Sequence, residues 1–199
     1  IIPILIFNIA GGVLYLILGN KKPSKNMRIC LEKVHERTSK YLKQNRQISK
    51  EISEKNKSVY GHMNYINTAA GYPMYKNTEV KYYSIGEDNY ADLIKELKKA
   101  KKYIFMEYFI IEEGQMWNGI LEILEEKAKE GLDVRLMYDD MGCISLLPYG
   151  YDKILEKKGI KCIAFNPFKP LLSLAMNNRD HRKITVIDGH TGFTGGINL

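Results

Sequence analysis

The stretch YIFMEYFIIEEGQMWNGILEILEEKAKEGLDVRLMYDD, from Tyr103 to Asp140, decides the fold. It opens with a nearly continuous apolar run over 103–111, which is typical of a strand covered on both faces. A helical stripe ended by Gly131 follows, and then a second strand-like run, DVRLMYDD. The residues of the stripe recur at helical spacing, namely Trp117, Ile120, Leu121, Leu124 and Ala128. Strand, helix and strand in this order indicate an α/β protein.

The same alternation continues on both sides of this stretch. EVKYYSI (79–85) is strand-like, and DNYADLIKELKKAKK carries one apolar helical face, consisting of Tyr90, Leu93, Ile94, Leu97 and Ala100. A helix over 152–158, the strand IKCIAF and a hairpin made of RKITVID and DGHTGF complete the series. We therefore predict an α/β domain with a mostly buried sheet over residues 76–199.

The first nineteen residues, IIPILIFNIAGGVLYLILG (1–19), carry no charge. At 1.5 Å per residue they would extend about 28 Å, close to the hydrocarbon thickness of a bilayer, which predicts a transmembrane helix. A buried core helix is the alternative. The segment has no basic n-region or cleavage site, which argues against a signal peptide, and the missing Met indicates that the natural chain starts further upstream. Lys21, Lys22, Lys25 and Arg28 follow it, so its carboxyl end is expected to face the cytoplasm.

The net charge of +7 is concentrated in residues 20–75, which we predict to be a basic linker or juxtamembrane helix. Between Lys21 and Lys57 there are 12 Lys/Arg and 4 Asp/Glu, an excess of +8 that leaves −1 for the remainder of the chain. A basic helix lying on anionic headgroups and a solvated linker helix both fit this composition. Because the basic charge lies outside the α/β domain, we expect no nucleic-acid partner.

Cysteine usage and acidic residues bear on possible metal sites. Three cysteines at scattered spacing predict free thiols in a reducing compartment and no zinc site. Asp139 and Asp140 end a strand, where they form either a Mg²⁺ site or a capped turn before Gly142. Glu107, inside an apolar strand, is either a paired structural carboxylate or a site residue.

The closing segment NNRDHRKITVIDGHTGFTGGIN (177–198) carries the strongest chemical signal. His181 and Lys183 differ by two positions, so on an extended strand both side chains project from one face. An ammonium that neutralises phosphate oxygens beside a neutral imidazole that attacks phosphorus makes a phosphate site. Asn198 can add an amide donor, and Gly195 and Gly196 allow close approach of the backbone. The simpler interpretation is an edge strand with polar residues.

Two further polar residues of this hairpin are assigned by position. Strand parity places Asp188 on the face opposite Lys183, which favours a structural or turn-capping residue over a catalytic base. His190 lies in the turn, where we expect it to be exposed.

The full pattern H-x-K-x(4)-D-x(6)-G-G-x-N resembles the HKD motif of the phospholipase D superfamily. It is met by His181, Lys183, Asp188, Gly195, Gly196 and Asn198. PILIFNIAGGVLYLILGNK near the start is similar to the second membrane helix of bacterial cardiolipin synthases, and the 100–142 region and FNPF are similar to the same family. The resemblance covers essentially the whole chain, more loosely between Ile29 and Tyr75.

This resemblance implies the amino-terminal half of a phospholipase D-like sandwich of sheet and helices, preceded by a transmembrane helix. It implies transfer of a phosphatidyl group between two phosphatidylglycerol molecules, which gives cardiolipin and glycerol through a phosphohistidine, without a metal or other cofactor. His181 is then the nucleophile or its acid/base partner, and Asp188 belongs to the catalytic motif. Lys183, Asn198 and Gly196 bind phosphate. The implied location is the cytoplasmic side of the cell membrane, with phosphatidylglycerol and anionic membrane lipid as partners.

One departure from the family pattern concerns completeness. The family has two HKD motifs and places an acidic residue a few positions after the Asn. These 199 residues hold one motif and end before the position of that acidic residue. We expect a second HKD half from the continuation of the chain, or pairing of two copies, and the 199 residues to be inactive alone. The alternatives are another phospholipase D-type hydrolase or phosphatidyltransferase, or a phosphate-binding module without turnover.

Overall fold

The computed structural model describes residues 9–10, 12–13, 25–167 and 179–199. The chain divides into two compact units, one over Asn20–Tyr82 and one over Tyr83–Leu199 together with Ile1–Gly19. Each unit is described below by itself.

The described part of the first unit, residues 25–82, holds three helices, α1 (Lys25–Ser39), α2 (Arg46–Lys55) and α3 (Lys57–Ala70). Two asparagines divide the helix-compatible segment. The Asn45 side-chain oxygen caps α2 by accepting two backbone N–H groups, and that of Asn56 caps α3 by accepting one. The segment after α3 folds back, because the N–H of Met74 donates to Gln44 Oε1 at 2.7 Å. The predicted basic segment is therefore a small helical unit instead of one continuous helix.

The predicted transmembrane helix lies almost wholly outside the described residues. Of positions 1–19, only 9–10 and 12–13 are described, and these are helical. Among the helices that the structure describes, none is both long and apolar enough to cross a bilayer.

The second unit is built on a sheet that has five strands among the described residues. Its elements in chain order are α4 (Gly86–Lys99), β1 (Tyr103–Tyr108), α5 (Gln115–Lys129), β2 (Asp133–Asp139), α6 (Asp140–Cys143), α7 (Tyr151–Lys157), β3 (Lys161–Phe165), β4 (Lys183–Ile187) and β5 (Thr191–Thr194). The strand order is β3-β2-β1-β4-β5. β1, β2 and β3 are parallel, whereas β4 pairs with both β1 and β5 in antiparallel fashion. The α/β class predicted from the strand–helix alternation is confirmed.

The core lies on one face of this sheet. The predicted apolar faces of α4 and α5 pack into it with Leu93, Leu97, Trp117, Ile120 and Leu124 buried. The strands contribute alternate residues, so that Ile104, Met106 and Tyr108 of β1 are buried while the residues between them are half-exposed. The prediction that this strand is covered on both faces is therefore wrong for the described residues. An apolar run encodes strand preference, but it cannot distinguish one covered face from two.

A second correction concerns residues 79–85, which are irregular instead of forming a strand. Val80 and Tyr82 are exposed. Tyr83 is held by its side chain, since its hydroxyl donates to Asp92 Oδ2 at 2.7 Å and its ring stacks on Phe193. A β-branched and aromatic composition favours a strand only where backbone pairing also forms, and this segment pairs with none of the described strands.

This topology collects polar residues at one edge of the sheet. β1, β2 and β3 end there at Tyr108, Asp139 and Phe165, and antiparallel β4 begins there at Lys183, which is paired with Tyr108. Ligands of open α/β sheets bind at the carboxyl ends of the parallel strands.

Candidate active site

His181 and Lys183 meet at this edge. The Lys183 ammonium lies 3.2 Å from Nδ1 of His181 and donates to the His181 carbonyl oxygen at 3.0 Å. Lys183 is only 5% exposed, whereas His181 is exposed to solvent. The structure thus brings together the two residues that the i, i+2 spacing places on one face, with a buried cation behind an accessible imidazole.

An aromatic ring supports both side chains. The Phe109 ring, just after β1, lies 4.6 Å from the His181 ring between centroids and 5.2 Å from the Lys183 ammonium. A cation over an aromatic face is stabilised by the ring quadrupole, which helps to hold an ammonium group away from water. Sequence reasoning missed Phe109. Its signal was an aromatic residue at the carboxyl end of a predicted strand.

The α6 turn packs directly against the Phe109 backbone. A Cβ added at Gly142 would lie 2.3 Å from the Phe109 carbonyl oxygen, so only glycine fits this approach without displacement. Next to it, Cys143 Sγ accepts the N–H of Ile111 at 3.2 Å. Burial raises the pKa of the Cys143 thiol to about 11, which makes this cysteine a packing residue and not a nucleophile.

Asn198 and the glycines lie near the same edge. Asn198 Oδ1 accepts the Ile110 N–H at 3.2 Å, which leaves the amide nitrogen as the part of the side chain able to donate to an anion. Leu199 continues this contact, because it exchanges backbone hydrogen bonds with Ile110 and Glu112. Gly196 is exposed after β5, and a Cβ there would have no atom of the described structure within 4 Å.

Asp139 is fully buried and accepts three hydrogen bonds. Its Oδ1 accepts the Gly142 N–H at 3.0 Å and pairs with Arg179 Nη1 at 3.0 Å, while Oδ2 accepts the Asp180 N–H at 2.9 Å. Of the two readings of Asp139 and Asp140, the structure shows the capped turn, since Asp139 is the N-cap of α6. Within the described ranges, no group of three or more His, Cys, Asp or Glu side chains is placed to hold a metal ion.

Glu107, on the other face of β1, lies next to the Asp180 carboxyl group. The guanidinium of Arg182 contacts Glu107 Oε1 at 2.5 Å and Asp180 Oδ1 at 2.9 Å. Burial, together with the hydrogen bond and negative charge of Asp180, raises the pKa of Glu107 to about 7. Burial acts to raise the pKa of Asp180 as well, but its hydrogen bonds with Glu107 and Arg182 hold that pKa below its usual range. Glu107 therefore keeps its proton to a higher pH than an ordinary glutamate, next to the ionised Asp180.

Asp188 lies at the opposite end of β4. It lies five positions along the extended backbone from Lys183, about 16 Å away. Its carboxylate accepts the backbone N–H groups of Lys101, Lys102 and Tyr103 at 2.8, 2.8 and 3.0 Å, and these bonds hold its pKa below the usual range. Its backbone is left-handed, with φ 53°. The structure therefore does not bring Asp188 to His181, and its contacts are those of a turn-capping residue.

His190 lies in the same β4–β5 turn and is exposed, as its position predicted. Its Nδ1 is 2.9 Å from the Thr191 hydroxyl. Because this turn is at the far end of β4, His190 is not part of the His181 cluster.

Comparison with known proteins identifies the family. The family described as cardiolipin synthase, PLD-like domain, matches residues 93–199, and the chain belongs to this family. An uncharacterized protein of Streptococcus mutans is 41% identical over 196 residues, which cover 98% of this chain and 42% of that protein. Cardiolipin synthase 2 of Staphylococcus epidermidis is 33% identical over 205 residues, which cover 96% of this chain and 40% of that protein.

Among solved structures, the phospholipase D family member Nuc of Salmonella typhimurium matches with a TM-score of 0.39 and 21% identity, covering 54% of this chain and 62% of Nuc. The chain spans about two fifths of the length of the curated relatives that it matches.

Proposed function

We propose that this chain provides the first HKD half of a cardiolipin synthase, which transfers a phosphatidyl group between two phosphatidylglycerol molecules. The observation that carries the proposal is the buried Lys183 ammonium 3.2 Å from Nδ1 of the exposed His181. Membership of the cardiolipin synthase PLD-like family supports the choice of a lipid phosphodiester as substrate.

The reaction has two steps. In the first, a histidine nitrogen attacks the phosphorus of phosphatidylglycerol, an N–P bond forms, and the bond from phosphorus to the glycerol oxygen breaks. A second histidine gives a proton to the leaving glycerol. In the second step, this histidine takes the proton from the hydroxyl of another phosphatidylglycerol, whose oxygen attacks phosphorus. The N–P bond breaks, and cardiolipin is released.

His181 is one of these two histidines in the proposal. Lys183 provides positive charge for the phosphate oxygens, Asn198 provides an amide donor, and Gly196 leaves room for the headgroup. The contacts of Asp188 support a structural contribution to the motif and not a proton transfer at phosphorus.

The second histidine is proposed to come from the continuation of the polypeptide, or from a second copy of this chain. One motif cannot carry out both proton transfer and nucleophilic attack, so we expect the 199 residues to be inactive alone. The proposed location is the cell membrane, with residues 1–19 spanning it and the catalytic unit on the cytoplasmic side. The basic residues of 20–75 then lie near anionic lipid.

The test uses the complete natural polypeptide in mixed micelles that contain phosphatidylglycerol. Wild type and His181→Ala are compared, with lipid products and free glycerol followed by mass spectrometry. We expect cardiolipin and glycerol from the wild type, and a loss of at least about 10³-fold in the variant. Asp188→Asn is the matched control within the motif.

Each other outcome contradicts the proposal in a distinct way. Phosphatidic acid without cardiolipin would identify a lipid hydrolase. Cardiolipin formation at the wild-type rate by His181→Ala would show that His181 takes no part in the reaction. Binding of phosphatidylglycerol without turnover or a covalent adduct in the complete polypeptide would identify a phosphate-binding module.

A further inference from the structure

We propose that Asp139 is a positioning residue for His181, acting on the main chain before the histidine and on the aromatic ring beneath it. The inference rests on the proposed function for its kinetic test, but its structural test does not. Asp139 touches neither His181 nor Lys183 in the described contacts, so its effect must pass through other residues.

The first connection runs through the segment that precedes the motif. Asp139 Oδ2 accepts the Asp180 N–H at 2.9 Å, and Asp139 Oδ1 binds Arg179 Nη1 at 3.0 Å. The other guanidinium nitrogen of Arg179 donates to the Asn166 carbonyl oxygen at 3.1 Å. One carboxylate at the end of β2 therefore fixes the two residues immediately before His181 and ties them to the end of β3.

The second connection runs through α6. Asp139 Oδ1 also accepts the N–H of Gly142, the residue that packs on the Phe109 carbonyl. The Phe109 ring in turn supports the His181 imidazole, with 4.6 Å between ring centroids. Displacement of α6 would therefore move the surface on which the imidazole rests.

The burial of Asp139 makes its three hydrogen bonds necessary for stability. A carboxylate with no exposed surface is unfavourable unless its charge is balanced and its oxygens accept hydrogen bonds. Here two backbone N–H groups and one guanidinium provide both. Asparagine at this position has no charge and one acceptor oxygen in place of two. Either the Asp180 N–H loses its acceptor, or the Gly142 N–H and the Arg179 guanidinium lose theirs.

The structural test is NMR of the His181 ring in the chain in detergent micelles. Because the Phe109 ring lies against the imidazole, its ring current should shift the His181 carbon-bound protons. In Asp139→Asn we expect these resonances to move toward their values in an unstructured peptide. The control is Asp133→Asn, which removes a carboxylate that pairs with Arg135 and Lys161 at the far end of the same strand. This control should leave the resonances in place.

The kinetic test uses the complete polypeptide. For Asp139→Asn we expect kcat for cardiolipin formation to fall about 10²-fold with KM within about threefold, because a displaced imidazole loses attack geometry more than lipid binding. Arg179→Lys keeps the positive charge but loses the guanidinium group that bonds both Asp139 and Asn166. We expect kcat to fall in this variant too, but by less than in Asp139→Asn. Arg179→Lys also decides the matter if Asp139→Asn does not fold.

Unchanged His181 resonances and unchanged kcat in folded Asp139→Asn would overturn the inference. So would equal effects of Asp133→Asn and Asp139→Asn, since both would then act through stability alone. Should the wild type make no cardiolipin, the proposed function fails, while the resonances of His181 still decide whether Asp139 positions it.

Discussion

The Lys183 ammonium donates to Nδ1 of His181 across 3.2 Å while its own position is fixed by the His181 carbonyl at 3.0 Å. An ammonium group has no acceptor, so Nδ1 must accept, and a neutral His181 carries its proton on Nε2. A neutral imidazole is a very weak acid, so His181 can protonate a leaving alcohol from Nε2 only as the imidazolium, which requires that Lys183 no longer donates to Nδ1. Attack on phosphorus through Nε2 likewise requires that an acceptor replaces Lys183 at Nδ1 and that the proton moves there.

The tautomer is directly measurable. In the neutral form of the chain, ¹⁵N NMR of the His181 ring should show a protonated Nε2 and an unprotonated Nδ1. Lys183→Met keeps an apolar stem of similar length but removes the donor, so the preference should be lost. His190, whose Nδ1 contacts a Thr191 hydroxyl, is an internal control that Lys183→Met should not affect. A protonated Nδ1 on His181 in the wild type would contradict this prediction.

Asp188 should stabilise the fold without taking part in the chemistry. Asp188→Ala removes the acceptor for three backbone N–H groups, and we expect a fall in Tm of about 5 °C. Asp188→Asn should have a smaller effect, because one oxygen remains for Lys102 and Tyr103 and asparagine tolerates a positive φ. Thermal unfolding by circular dichroism checks both.

The same two variants separate a structural contribution from a catalytic one. At a temperature where both remain folded in the complete polypeptide, kcat should stay within about threefold of wild type. A loss above about 10²-fold in folded Asp188→Asn would instead make Asp188 part of the proton-transfer chemistry.

Glu107 should make stability depend on pH near neutrality. Its pKa is raised from 4.5 in the unfolded chain to about 7 in the folded protein, so the folded state binds the proton more tightly. The resulting stabilisation is complete below the unfolded pKa and is lost as pH rises through about 7. Urea unfolding of the wild type should give a lower free energy of unfolding at pH 8 than at pH 5.

Glu107→Gln tests this assignment, since glutamine resembles the protonated carboxyl group. The part of the pH dependence of the unfolding free energy that comes from this site should disappear. At pH 8 the variant should be more stable, relative to wild type, than it is at pH 5. Glu122→Gln, at an exposed position of α5, is the matched control. It should leave the change of the unfolding free energy with pH as in the wild type. An identical pH dependence of the unfolding free energy in wild type and Glu107→Gln would show that folding does not raise the pKa of Glu107.

Gly142→Ala should destabilise the protein through a single clash. The added methyl would lie 2.3 Å from the Phe109 carbonyl oxygen, so the turn or the end of β1 must move, at a cost of about 2–4 kcal/mol. Gly192→Ala in β5 places its methyl 3.9 Å from the nearest backbone oxygen and should be close to neutral. Equal free energies of unfolding for the two variants, measured by urea titration, would contradict this packing.

Much of the fold followed from periodicity. The apolar faces of α4 and α5 and the strands β1 to β4 lie where the spacing of apolar residues predicted them, because both patterns depend on local geometry. The strand predicted over 79–85 is wrong because strand pairing is non-local: the composition suits a strand, but the segment pairs with none of the described strands.

Sequence alone determined the α/β class and the meeting of His181 with Lys183, because two residues two positions apart on extended backbone share a face. Tertiary structure alone decided that Asp139 binds Arg179 across 40 positions of chain and that Phe109 lies under His181. It also decided that Asp188 caps the backbone before β1, with its three donors some 85–87 positions away. These contacts depend on strand order and on which face of the sheet is covered, and neither is encoded in the local spacing of residues.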